Sequence, residues 1–279
     1  MEYIELRCTP KQKTEYQIEI LTAVLGELGF ESFIEDNDDL LAYIQSPLFT
    51  PSLLDDSLLS VFHGLIDFSW SPIPAQNWNQ LWEESFQPVT IDGRCRIRAP
   101  FHAPDNTMEF EIIIEPKMSF GTAHHETTAG MIRLVLDTEM KGKKVLDMGC
   151  GTGVLAILAA KKGATAVTAI DNDEWAYNNT LENIKRNNVP WINVYLSDAS
   201  LLKGQHFDVI LANINRNILL QDIPAYAGCL QHNGLLFLSG FYTEDLETIN
   251  EKALNSGFEY LSHLEKNRWL AVSYRKKKK

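Results

Sequence analysis

The 279-residue chain contains no apolar run approaching the ~18–20 residues that a bilayer-spanning helix needs, so no membrane span is expected. Its opening MEYIELRCTP lacks a basic stretch followed by an apolar one, which argues against a secretory signal. Cysteine is sparse: Cys8, Cys95, Cys150 and Cys229 lie far apart and form no CxxC pair. With no export signal these read as reduced thiols, and the expected location is the cytoplasm. Two adjacent histidines, His124 and His125, have no HxxxH or HExxH spacing and no cysteine nearby, so no metal centre is expected. Basic residues are scarce early in the chain. Residues 1–70 carry 13 acidic side chains against Arg7, Lys11 and Lys13, while the remainder is close to balanced, with 24 acidic and 22 basic residues. Such a segment repels phosphates, so direct nucleic-acid recognition is not expected. It either attracts a basic partner or simply keeps the surface solvated. The closing RKKKK reads as a solvated tail.

What is present is a hydrophobic content of 45%, enough for one large or two ordinary cored domains. Residues 1–71 alternate short strand and helix patterns. YIELRC reads as a strand, and KTEYQIEILTAVLGELGF as a helix with Ile18, Leu21, Leu25 and Leu28 on one face. ESFIEDN and LLAYIQ suggest a hairpin, SLLDDSLLSVFHGLI a second helix, and DFSWSPIP a last strand. The order β-α-β-β-α-β implies a small ferredoxin-like α+β domain. Residues 72–104 look like a linker with a helix carrying Trp78, Leu81, Trp82 and Phe86 on one face, either packed on a domain or contacting substrate. IDGRCRIRAP and MEFEIIIEP read as strands leading into the second domain. From residue 105 to 279, helices alternate with the strands KVLDMG, AVTAID, VYLSD, FDVILANI, GLLFLSG and RWLAVSY. That alternation implies a doubly wound, Rossmann-like α/β domain.

Chemistry concentrates at VLDMGCGTGVLAILAA, an apolar strand that runs into a glycine-rich turn opening a helix. Gly149, Gly151 and Gly153 permit tight turning and close approach to a ligand. The spacing D-x-G-x-G-x-G leaves one residue between the last two glycines where a dinucleotide fingerprint has two. This favours S-adenosyl-L-methionine, which has no pyrophosphate to seat at the helix N-terminus. Asp147 stands where an anion can face a cofactor's cationic amino-acid end. Asp171 closes the next strand 20 residues beyond Gly151, placed to accept ribose hydroxyls or to cap the following helix. Asp198 can reach an adenine amino group or be an ordinary turn aspartate. Asn213, at the carboxyl end of FDVILAN, can accept a hydrogen bond from an amine or cap the loop.

FGTAHHETT, VLDMGCGTGVLAILAA, AID and LANINRNILL together resemble the PrmA family of methyltransferases that act on protein eleven of the large ribosomal subunit. The resemblance covers nearly the whole chain, and the FGT element ahead of the glycine turn is its most specific part. It implies a class I S-adenosyl-L-methionine-dependent enzyme with an N-terminal substrate-recognition domain. It implies methylation of lysine and N-terminal amino groups of a basic ribosomal protein, by a monomer. It also implies cofactor contacts by Phe120, Thr128, Asp147, Gly149, Gly151, Asp171, Asp198 and Asn213, with Thr128 and Asn213 nearest the chemistry. The family has glycine where this chain has Ala123, so the local loop geometry is expected to differ. HHETT is then expected to form a wall of the cofactor and substrate pocket, with His125 either a proton acceptor or a structural group. Asn-Ile-Asn-Arg differs from the Asn-Pro-Pro-Tyr-like motif of enzymes acting on base amines, which weakens a nucleic-acid reading. An N-methyltransferase for another protein or a small-molecule amine is the alternative, and a non-catalytic scaffold retaining the fold is the rival of a different class.

Overall fold

The computed structural model describes the chain except residues 1–2, 12–14, 37–38, 56, 74–85, 116–120 and 279. Trp78, Leu81, Trp82 and Phe120 therefore lie outside the described residues. The chain divides into two compact units, Met1–Glu84 and Ser85–Lys279.

The first unit runs β1 (Tyr3–Pro10), α1 (Glu15–Glu27), β2 (Ser32–Asp36), β3 (Asp39–Gln45), three 3-10 turns and β4 (Ile66–Ile73). Its antiparallel sheet has the order β2-β3-β1-β4, the connectivity that a β-α-β-β-α-β arrangement requires. Strand alternation buries Ile4, Leu6 and Cys8 of β1, and α1 covers them with Ile18, Leu21 and Leu25. Burial pushes the Cys8 thiol up to about 12, so this cysteine is inert packing. The expected second α-helix is instead a pair of 3-10 segments, Pro51–Asp55 and Ser57–Phe62. Leu59 and Phe62, three residues apart, are its buried anchors, the period of a 3-10 turn. The Ser- and Asp-rich sequence disfavours a longer α-helix, because those side chains compete for its backbone groups.

The second unit opens with β5 (Val89–Ile91), β6 (Cys95–Arg98) and β7 (Phe110–Ile113), a small sheet of its own. Asp92 and Gly93, both at positive φ, form the β5–β6 turn. Strands β5 and β6, from the stretch expected to link the domains, bury Ile91, Cys95 and Ile97 in the core of the second unit. The main layer follows as α2 (Glu126–Leu136), β8 (Lys144–Met148), α3 (Val154–Lys161), β9 (Ala166–Asp171), α4 (Glu174–Arg186), β10 (Asn193–Leu196) and β11 (Phe207–Asn213). It continues with α5 (Arg216–Cys229), β12 (Leu230–Tyr242), α6 (Leu246–Asn255), β13 (Phe258–Lys266) and β14 (Trp269–Lys276). The seven strands lie in the order β10-β9-β8-β11-β12-β14-β13. Six run in one direction, and β14 alone is antiparallel, lying between β12 and β13 and forming a hairpin with β13. One core cluster packs α2, α3 and α4 on one face of the sheet, and a second packs α5 and α6 on the other. This is the α/β doubly wound, Rossmann-like class.

Two local features were not foreseen. Strand β13 is largely exposed and polar, so its apolar period is weak. The basic C-terminus is not wholly a free tail: β14 extends through Lys276, whose Nζ donates to the Ala227 and Leu230 carbonyls at the end of α5. Among the described residues, no helix is long and apolar enough to cross a membrane.

Candidate active site

The carboxyl ends of β8, β9, β10 and β11 open on one cavity of about 770 Å³. Open α/β sheets bind ligands at this edge, because the loops leaving neighbouring strands diverge there. Thr128, Gly149, Gly151, Asp171, Asp198 and Asn213 all line it. Local structure explains each placement.

The glycine turn folds tightly over the end of β8. Gly149 has φ +70°, and a Cβ there would meet Ile214 Cγ2 at 2.1 Å. The turn is held from behind by α4, where Thr180 Oγ1 donates to the Gly151 carbonyl at 2.8 Å. From the front, Asp171 Oδ2 accepts the Gly151 amide at 2.8 Å, and Oδ1 accepts the Asp173 amide at 3.1 Å. The helix cap is Asp173, which accepts from the Trp175 amide, so Asp171 is free of capping. Its carboxylate is oriented by backbone donors and faces the cavity. Asp198 caps the 3-10 turn Ala199–Leu202 through the Ser200 amide at 2.9 Å, as an ordinary turn aspartate does, and it lines the cavity.

At the other end stands Asn213. Its Nδ2 donates to Thr128 Oγ1 at 3.2 Å, while Oδ1 is buried with no protein partner. The loop-capping role belongs to Asn215, which accepts the Ile218 amide at 3.1 Å. Thr128 is itself buried in the first turn of α2, so its hydroxyl fixes the carboxamide in one orientation. A buried carbonyl oxygen with no partner costs free energy unless a ligand donor meets it.

Three expectations are corrected or refined. Asp147 does not line the cavity. It is buried beneath the turn, where Oδ2 accepts the Ala156 amide of α3 at 2.9 Å and Oδ1 has no partner. Desolvation pushes its pKa up to about 7. The strand's side-chain alternation points it under the glycine turn instead of out of the sheet's edge. Neither histidine is a wall of the cavity. His125 is the N-cap of α2, its Nδ1 accepting from the Thr127 amide at 3.2 Å while its ring packs edge-on against Trp269. His124 packs against Phe86 and reaches the Gln87 carbonyl at 3.0 Å. Of the FGTAHHETT segment, Gly121 and Thr128 line the cavity.

The sequence reading missed a ladder of buried asparagines on one face of α4. Asn187 pairs with both backbone groups of Ile113; Asn183 accepts from the Glu115 amide and donates to the Thr152 carbonyl and Asn179. The ladder ties the strand ahead of the FGT segment to the glycine turn. Its only signal in the sequence is the i, i+4, i+8 spacing of amides on a face that should be apolar.

The family model described as ribosomal protein L11 methyltransferase (PrmA) matches residues 12–277. The chain belongs to this family. A ribosomal protein L11 methyltransferase from Phocaeicola vulgatus is 46% identical over 98% of this chain and 99% of its own. One from Chlorobaculum tepidum is 34% identical over 91% of each. The crystal structure of the ribosomal protein L11 methylase from Lactobacillus delbrueckii subsp. bulgaricus superposes with a TM-score of 0.64 at 26% identity, covering 69% of this chain and all of that one. As a PrmA-family enzyme, the protein is a methyltransferase whose cofactor is S-adenosyl-L-methionine. The cavity suits that molecule: it pairs a side-chain-free turn at Gly149 with an oriented carboxylate at Asp171 and an orphaned acceptor at Asn213.

Proposed function

We propose that the protein methylates lysine side chains and the N-terminal amine of ribosomal protein L11, the substrate named for its relatives. The observation that carries this reading is the Asn213 Oδ1, buried, unpaired and held in one orientation by Thr128. When bound, S-adenosyl-L-methionine supplies a methyl group on a positively charged sulfur. Asp171 holds the ribose hydroxyls, Asp198 takes the base amine, and the Gly149–Gly151 turn lies along the amino-acid portion.

A lysine amine with solution pKa ~10.4 is protonated at neutral pH and has no lone pair to offer. Entry into the cavity removes it from water, which favours the neutral form. Asn213 Oδ1 then accepts an N–H of that amine and turns its lone pair toward the methyl. Positioning of this kind supplies most of the rate gain in such a displacement, and no strong general base is required. Thr128 contributes by orienting the carboxamide.

Residues 1–71 serve as the recognition domain, and their excess of 13 acidic over 3 basic side chains within residues 1–70 suits a basic protein partner. Several target amines on one substrate require its presentation in more than one orientation. The protein acts as a cytoplasmic monomer.

The test is intact-mass spectrometry of purified large-subunit proteins incubated with enzyme and cofactor. Repeated methyl-sized increments on L11 alone, lost when residues 1–71 are deleted while cofactor binding persists, are the expected result. Binding of cofactor without a mass gain on any ribosomal protein would remove the substrate assignment and leave the methyltransferase.

A further inference from the structure

Helix α5 turns one stripe to the cavity, Ile218, Gln221 and Asp222, at i, i+3 and i+4. Asp222 is the anomaly. It sits mid-helix, 6% exposed, and its protein partner is the Tyr226 hydroxyl one turn on, a long contact of 3.4 Å. Tyr226 is itself fully buried. A buried carboxylate with one weak neutral donor is poorly compensated, so packing alone does not account for it. Its remaining hydrogen-bonding capacity opens on the cavity.

Asp222 approaches the same end of the cavity as Asp198. The 3-10 turn that Asp198 caps packs on α5, and the negative charge of Asp198 acts on Asp222. This is the end at β10, remote from Asn213 on β11 in the strand order. The base of the cofactor belongs here. Its six-membered edge offers an exocyclic amine beside an unprotonated ring nitrogen, one donor group next to one acceptor.

We propose that Asp222 is a specificity-determining residue for the cofactor's base: Asp198 accepts from the exocyclic amine, and Asp222 donates a carboxylic-acid proton to the neighbouring ring nitrogen. The two carboxylates sit in environments that push them apart. The Ser200 hydroxyl and amide hold Asp198 below the ordinary carboxylate range, keeping it an acceptor. Burial raises Asp222; the Tyr226 hydroxyl opposes this and the Asp198 charge adds to it, so the net shift is toward the protonated form. Hypoxanthine reverses both positions, with a carbonyl and a ring N–H, so it meets an acceptor facing an acceptor and a donor facing a donor. A site built to pair polar groups rejects such a mismatch strongly.

The inference rests on the placement of the base beside Asp198, and the experiment separates the two. Isothermal titration measures S-adenosylhomocysteine and its hypoxanthine counterpart on the full chain and on Asp198→Ala, Asp222→Leu and Asp222→Asn. Asp222→Leu should weaken S-adenosylhomocysteine at least about thirtyfold and the hypoxanthine ligand far less, collapsing the preference between them. Asp222→Asn keeps an N–H donor and should lose only about threefold. If Asn is as damaging as Leu, or if Leu leaves the preference intact, the proposal is wrong. Should Asp222→Leu not fold, a large loss of S-adenosylhomocysteine binding in Asp222→Asn overturns it alone. An Asp198→Ala that binds both ligands as the wild type does would remove the base placement itself.

Discussion

The Asn213 carboxamide donates to the Thr128 hydroxyl at 3.2 Å, joining residues 85 positions apart and leaving the carbonyl oxygen buried without a partner. One hydrogen bond thus converts an amide that could point either way into an acceptor with a single direction.

Replacing Asn213 with Ala should therefore lower kcat by about 10²-fold, since misplacement of an attacking group costs on that scale. Thr128→Val, which removes the orienting hydroxyl and keeps the shape, should lower it by about tenfold. Methyl transfer followed by mass spectrometry, with S-adenosylhomocysteine affinity measured in parallel, checks this. Both variants should lose more in turnover than in affinity. Equal losses in the two would make Asn213 a cofactor contact and no more.

The loop that carries Asn213 is wedged between two glycines. A Cβ at Gly240 would stand 2.2 Å from the Ile214 carbonyl oxygen, which is backbone, whereas one at Gly149 would meet the Ile214 Cγ2, a side-chain end, at 2.1 Å. Both glycines also have positive φ. Gly240→Ala should destabilise by about 3 kcal/mol or more and Gly149→Ala by somewhat less, because a side chain yields more readily than a backbone. Urea unfolding of the two variants tests the order; a reversed order would mean that the loop shifts as a body.

Ala123 has φ +67° and is 2% exposed. The left-handed region costs an alanine about 1–2 kcal/mol. Against this stand about 0.8 kcal/mol for the buried methyl and about 0.5–1 kcal/mol of backbone entropy that glycine would forfeit. The terms nearly cancel, so Ala123→Gly should change stability by less than about 1 kcal/mol. Ala123→Val, β-branched at the same φ, should cost more than about 2 kcal/mol. Thermal unfolding decides, and a strongly stabilised glycine variant would show that the loop is strained.

Asp147 makes the cofactor-free protein pH-sensitive. Its carboxyl is raised from 3.8 to about 7 by burial, so between those values the folded chain holds a proton that the unfolded chain releases. The group's contribution to stability is full below the lower value and is lost as pH rises through the upper one. Asp147→Asn cannot titrate. The stability difference between wild type and this variant should therefore shift against the wild type by up to about 4 kcal/mol from pH 4 to pH 8. A difference that does not vary with pH would mean that the carboxylate is ionised throughout.

Much of the architecture is legible in the sequence. The strands from β8 to β11 and the helices between them follow apolar runs and helical stripes, because buried parallel strands read as continuous hydrophobic segments. The glycine turn is visible from its spacing after an apolar strand, and Asp171, Asp198 and Asn213 from their places at strand ends. The second helix of the first unit was misread, since a Leu–Phe pair three residues apart suits both an α-helix and a 3-10 turn. Strand β13 escaped notice because its exposed face carries little periodicity.

By itself the sequence determined the class of fold, the position of the glycine turn and the strand ends at which polar side chains gather. These depend on periods of two and 3.6 residues and on residues tolerant of positive φ, all of them local. Only the tertiary structure decided what each polar group meets. It turned Asp147 under the turn and gave His125 a helix to cap. It set Thr128 against Asn213, and it brought Asp222 of α5 to the end of the cavity where Asp198 stands. Each of these outcomes depends on which loops the sheet order β10-β9-β8-β11-β12 brings side by side, and hydrogen bonds between residues far apart in the chain leave no local period to read.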